Sequence, residues 1–239
     1  MKTTYVLIVF VNLFLFSCND KNEVMKYKVE KISEVIQLDA NWNKEPWNKI
    51  EPLTITHYMG EKPEHFPHTQ AKVAYDDEAI YVIFRVNDRF VRVVTTKNHG
   101  PVFQDSCVEF FFSPDGDPGY FNLEMNAGGT MLLHHQNEPR KGTPLDAESL
   151  KKVEVAHSLP EYVDPEIKDP VDWTVEYRIP FSVLKKYADV AVPQAGTVWR
   201  ANFYKCADET SHPHWLTWAP VDKPQPDFHL PEYFGEIVF

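Results

Sequence analysis

Along most of this chain, apolar side chains come in short runs with a two-residue beat, interrupted every few positions by polar or turn-forming residues. From Val35 onward the runs are rich in Val, Ile, Phe, Tyr and Trp, and the interruptions are Pro, Gly, Asp and Asn. That is the pattern of many short strands joined by turns. The clearest predicted strands cover 69–75, 79–87, 107–113, 120–127, 130–135, 172–180, 197–205 and 235–239. Only 180–187 reads as a helical turn, and the nineteen prolines disfavour long helices. Residues 136–170 are less regular and predict long loops with one strand near 152–156. Strands in series, with neither repeats nor alternating helices, predict an all-β antiparallel β-sandwich with immunoglobulin-like or jelly-roll-like layers and few short helices.

Successive side chains on a strand point to opposite faces, so alternation also shows which faces are unusual. Phe121, Leu123 and Met125 predict a core face, with Asn122, Glu124 and Asn126 opposite. Trp199, Ala201 and Phe203 oppose Arg200, Asn202 and Tyr204 in the same way. In the 107–113 run, Val108, Phe110 and Phe112 share one side, while Glu109 sits between Cys107 and Phe111 on the other. A carboxylate among apolar neighbours needs partners. These polar faces are either solvated sheet surfaces or the floor of a site.

The first eighteen residues follow another pattern. Lys2 is followed by an apolar run from Tyr5 to Phe16, then Ser17-Cys18, the layout of a lipoprotein export signal. The run is shorter than the roughly 20 residues that span a bilayer. Residues 1–17 are therefore expected to be a signal peptide, Cys18 the lipidated residue, 18–34 the lipidated cysteine and a polar tether, and 35–239 one domain. A plain secretory signal is the alternative; both place the protein outside the cytoplasm, and lipidation places it in the cell envelope, at the outer membrane. The remaining 239 − 17 = 222 residues carry 24 − 1 = 23 basic and 35 acidic groups, a net charge of 23 − 35 = −12. That charge repels nucleic acid and anionic head groups and leaves neutral partners. Beyond Cys18 only Cys107 and Cys206 remain. They are too few for a stapled scaffold, and the sequence leaves open a single disulfide or two packed thiols.

Several motifs in order carry a resemblance. Leu38-Asp39 is followed by Trp47, by 71–82 (AKVAYDDEAIYV), by Asn87-Asp88, by 104–111 (QDSCVEFF), by Trp218 in a Leu-Thr-Trp stretch, and by the closing 233–239 (YFGEIVF). From about Gln37 to Phe239 the chain resembles carbohydrate-binding module family 9, least so over 136–170. The resemblance implies a sandwich that binds sugars without cleaving them, often at a glycan's reducing end, clamping one ring between two aromatics. Phe103 and Phe228 match those aromatics. The family has tryptophan at both positions, so phenylalanine offers a smaller stacking face. Glu109 matches the family's sugar-binding carboxylate, Asn122 a strand position that carries a basic ligand contact, and Tyr204 the later polar position. Glu124, Asn126, Arg200 and Asn202 join them as candidates by their strand faces, and Trp215 or Trp218 as a pocket wall. The family also implies structural calcium, with no ligands matched here. Glycans, a membrane reached through the lipid, and separate glycan-degrading enzymes are the expected partners.

Other chemistry stays open. Trp47, Trp173 and Trp199 sit in strand patterns and are expected in the core. His65 with His68, His134 with His135, and His212 with His214 are either metal-ligand candidates or histidines making ordinary hydrogen bonds; His212 and His214, two apart in an extended segment, share a face but lack an obvious third ligand. Glu109 and Glu124 on adjacent strands would be the pair for a glycoside hydrolase, which needs two carboxyl groups across the scissile bond. Met125, Met131, His134 and His135 would be the axial ligands of a haem-binding redox sandwich.

Overall fold

The structure, a computed structural model, describes residues 24–239. The export signal, Lys2 and Cys18 lie outside the described residues. Strands within them form a nine-stranded sheet, a six-stranded sheet and a two-stranded ribbon, with two short helices. The larger sheet runs Lys26–Lys28, Gly235–Val238, Val198–Cys206, Cys107–Ser113, Tyr120–Asn126, Met131–Gln136 and Gly142–Pro144. Trp215–Thr217 and then His57–Tyr58 extend it beyond Val198–Cys206. The other sheet runs Glu154–His157, Val171–Pro180, Ala79–Asp88, His68–Tyr75 and Glu30–Lys31, with Leu53–Ile55 also on His68–Tyr75.

The two sheets face each other across one apolar core. Val108, Phe110, Phe112, Phe121, Leu123, Met125, Trp199, Ala201 and Phe203 enter it from the larger sheet, as the alternation predicts. Ile80, Val82, Phe84, Val175, Tyr177 and Ile179 meet them from the other. Phe110 stacks on Phe203 at 4.7 Å, and Phe84 crosses to Phe203 at 6.0 Å. The architecture is the predicted all-β sandwich. Trp47, Trp173 and Trp199 are buried, and the helical turn appears as Phe181–Leu184.

Two stretches carry more order than expected. The tether was expected to run to residue 34. Instead Lys26–Lys28 pairs in parallel with Gly235–Val238 and Glu30–Lys31 with His68–Tyr75, while Tyr27 and Val29 sink into the core. Their alternation is only two or three residues long, too short to stand out from polar surroundings. Within 136–170, the expected strand is present as Glu154–His157. There are also a helical turn, Ala147–Leu150, capped by Asp146 accepting from the Ser149 N–H, and a strand, Val163–Ile167, paired with Val91–Val93.

The outer faces of both sheets are covered as well. Over the six-stranded sheet, Ile36, Trp42, Trp47 and Ile50 pack on Ala74, Tyr81 and Ile83. The buried Glu176 holds that cover: its Oε2 accepts from the N–H groups of Asp39 and Ala40 and from Lys44 Nζ, and its Oε1 from Trp47 Nε1. Over the nine-stranded sheet, Met59, Val102, Val221, Phe228 and Phe234 pack on Phe111, Tyr120 and Tyr204. This second cover is incomplete, and the gap in it is the candidate site.

Candidate functional site

A cavity of about 420 Å³ opens between the outer face of the larger sheet and the loops over it. Alternation on three strands builds its floor: Glu109 and Phe111, then Asn122 and Glu124, then Leu132, His134 and Gln136. Glu109 lies directly across from Glu124, and Asn122 across from His134. Hydrogen bonds order this floor: Gln136 Nε2 donates to Asn122 Oδ1 at 2.8 Å, and Asn122 Nδ2 donates to Glu124 Oε1 at 3.0 Å. Phe103 and Phe228 bring aromatic surface from the loops, and Trp215 from the start of the strand Trp215–Thr217. Phe228 is fixed from behind by Tyr204, which stacks on it at 4.1 Å and 11°. Arg140 and Asp227 pair at 2.8 Å beside His229, which shares a hydrogen bond with Tyr120.

The electrostatics are unusual for a surface cleft. Burial pushes the Glu109 and Glu124 carboxyls above the ordinary carboxylate range, and for Glu109 the neighbouring Cys206 and Glu124 add to it. Burial also raises Asp208 to about 6. Glu109 Oε2, Glu124 Oε2, Gln136 Oε1 and Asp208 Oδ1 are buried without a hydrogen-bond partner. Unmade bonds of this kind are costly, so they mark places where a ligand is paid for in hydrogen bonds. Such a cavity offers flat apolar walls and a row of fixed donors and acceptors.

The family model for carbohydrate-binding family 9 matches residues 39–239. This chain belongs to carbohydrate-binding family 9. No curated protein matches it. Among solved structures it is similar to a protein from Bacteroides uniformis ATCC 8492 described as carbohydrate-binding, with a TM-score of 0.81 and 27% identity over 91% of this chain and 100% of the other. A family 9 module from Caldicellulosiruptor kristjanssonii in complex with cellotriose shares the fold at a TM-score of 0.61 and 18% identity, over 90% of this chain and 93% of that one. A family 9 module from the same organism in complex with glucose does so at 0.58 and 19%, over 90% and 95%.

In this family 9 domain the candidate residues divide into two groups. Phe103, Glu109, Asn122, Glu124, Trp215 and Phe228 line the cavity together. Asn126, Arg200, Asn202 and Tyr204 do not. Asn126 shares a face with Asn122 but spends its amide on the turn, donating to Thr95 O and Asp105 Oδ2 and accepting from the Gly128 and Thr130 N–H groups. Asn202 is likewise consumed by Ala219, donating to its carbonyl and accepting from its N–H. Arg200 is exposed and donates to Pro231 O. Tyr204 is fully buried and supports Phe228 without reaching the cavity. Trp218 is core.

Other expectations are resolved by placement. At Glu109, burial favours the neutral acid, which both donates and accepts. Cys107 and Cys206 are opposite each other as free thiols. Met125 and Met131 pack in the core, whereas His134 lines the cavity on the opposite sheet face, so these haem candidates do not converge. His135 is engaged by Asp117 at 2.9 Å. His65 bonds Asp88, and His214 bonds Lys205, in a buried polar cluster. Among the described residues, the one group of side chains able to hold a metal is Cys107, Glu109 and Cys206, and its sulfurs do not suit calcium, which takes six to eight oxygens. The sequence pattern did not point to Gln136 or Asp208, and it offered His134 only as a metal or haem ligand; the 132, 134, 136 alternation was the available signal for Gln136 and His134. Arg140, Asp227 and His229 come from irregular loops and gave none.

Proposed function

We propose that the cavity binds a carbohydrate without cleaving it. The observation that carries this reading is the pairing, in one recess, of aromatic faces from Phe103, Trp215 and Phe228 with buried, partly unpartnered amide and carboxyl groups. Sugars present C–H groups on their faces and hydroxyls at their edges, so they want this combination. The family and the sugars held by two structural neighbours, cellotriose and glucose, support it. Glu109 and Glu124 stand opposite each other on adjacent strands of one floor, where both can hydrogen-bond the hydroxyls along one side of a sugar.

The wider reading is an exported lipoprotein, anchored through Cys18 at the outer membrane, that captures glycan for separate degrading enzymes. The residue pattern of 1–18 supports it. Replacing Cys18 by Ser should release the protein from the membrane fraction; retention there would defeat the anchor.

Calorimetric titration with glucose, cellobiose and cellotriose, each before and after borohydride reduction, tests the sugar site. Reduction opens the terminal ring and leaves the rest intact. Binding abolished by reduction supports a clamp on the reducing end; binding that survives moves recognition to internal units. Absence of binding across a broad glycan panel would refute the proposal.

A further inference from the structure

We infer that the cavity floor is also a binding site for a single thiophilic divalent cation of the zinc class, held by Cys107, Cys206 and Glu109. The two cysteines occupy directly opposed positions on neighbouring strands, Cys107–Ser113 and Val198–Cys206, and Glu109 projects from the same face two residues after Cys107. The two sulfurs and a Glu109 carboxyl oxygen all lie within 4.8 Å of one another, and Cys206 Sγ is 3.2 Å from Glu109 Oε1. A tetrahedral zinc ion with metal–sulfur bonds near 2.3 Å and metal–oxygen bonds near 2.1 Å places its donors about 3.6–3.8 Å apart. Small side-chain shifts therefore suffice, with no change in the strands.

A second observation points to a ligand at this place. Glu109 is 2% exposed, yet its Oε2 has no partner. The facing Glu124, 5% exposed, also leaves Oε2 unpartnered over the same cavity. No Lys, Arg or His among the described residues makes an ion pair or hydrogen bond with either carboxyl. Lys205, next in sequence to Cys206, turns to the other face and bonds His214 and the Cys206 carbonyl. Two thiols and two carboxyls are thus gathered with no cation in direct contact with either carboxyl; Arg140 acts on Glu124 only from a distance and is paired with Asp227. Sulfur donors select zinc-class ions over calcium or magnesium. Glu109 and Cys206 both line the cavity, so the fourth position is open to water or to a ligand occupying the recess. The inference does not rest on the sugar reading, because the donors are specified by the protein alone.

The test uses reduced, metal-stripped protein titrated with cobalt(II) and then zinc(II). One equivalent of cobalt should give thiolate-to-metal charge-transfer absorption and tetrahedral ligand-field bands, both removed by zinc. Cys107→Ser and Cys206→Ser should abolish the charge-transfer band, and Glu109→Gln should weaken affinity at least tenfold while keeping it. X-ray absorption at the zinc edge of the unaltered protein should show two sulfur neighbours near 2.3 Å, a readout independent of how well any variant folds. No thiolate band, a zinc shell without sulfur, or a Cys107–Cys206 disulfide recovered after thiol trapping before lysis would each overturn the site. Sugar titrations with and without chelator separate its failure from failure of the carbohydrate reading.

Discussion

At the residue scale, Phe103 and Phe228 are not equivalent walls. Phe228 is 9% exposed and already stacked on Tyr204, whereas Phe103 is 37% exposed on the turn Val102–Gln104. Phe103→Ala should therefore weaken sugar binding by about 0.5–1.5 kcal/mol with little change in folding stability, and Phe103→Trp should tighten it. Calorimetry alongside thermal melting checks both, and equal affinity in the Ala variant would remove Phe103 from the site. His229 supplies a pH signature. Burial, then the nearby Arg140 guanidinium, pushes its imidazole down to about 4 despite the opposing charge of Asp227. The folded pKa lies below the unfolded value of about 6.5, so this contribution to stability is present above pH 6.5 and is lost as pH falls toward 4. In His229→Asn, urea midpoints should fall less between pH 6.5 and 4 than in the unaltered protein; an identical slope would mean that His229 titrates normally. Glu109, Asn122 and Glu124 were legible because strand alternation puts a polar row where a core row is expected behind it. Asn126 and Asn202 obey the same alternation, yet Asn126 is engaged by turn backbone and the Asp105 carboxylate and Asn202 by the Ala219 backbone, which periodicity cannot reveal.

Elements differ in how they are held. The cover over the six-stranded sheet depends on one buried carboxylate, because Glu176 satisfies two backbone N–H groups, the Trp47 indole and Lys44 together. Glu176→Ala leaves the two N–H groups and the indole without an acceptor, while Lys44 keeps Asp39 and the Gln37 carbonyl, and should cost about 3–5 kcal/mol in urea unfolding. The exposed Lys31–Asp77 pair is the contrast: Asp77→Ala should cost less than about 1 kcal/mol. Comparable losses in the two variants would show that Glu176 is no anchor. The long strands were legible within one or two residues, since five or more alternating positions outweigh local noise. The strands Lys26–Lys28 and Glu30–Lys31 were not, because each is defined by its partner strand and carries too few residues for a period, and Val163–Ile167 was not, because Asp164, Pro165 and Glu166 between its apolar ends break any alternation.

For the whole molecule, the N-terminal segment joins both layers: Lys26–Lys28 completes an edge of the larger sheet and Glu30–Lys31 an edge of the other. A chain beginning at Ser33 loses the burial of Tyr27 and Val29, about 3–6 kcal/mol, relative to one beginning at Val24. Equal denaturation midpoints for the two chains would show that these strands contribute nothing to stability. Taken alone, the residues determined the class of fold and the two faces of its main strands, because strand period and core burial are local properties of side chains. The ordered motifs also determined the family. Tertiary structure decided which polar positions meet: the recess exists only where loops carrying Phe103, Asp208, Arg140 and Phe228 close over the floor of Glu109, Asn122, Glu124 and Gln136. It also set Cys107 against Cys206, ninety-nine positions apart in sequence (206 − 107 = 99), since strand register is a contact between distant segments and no local pattern encodes it.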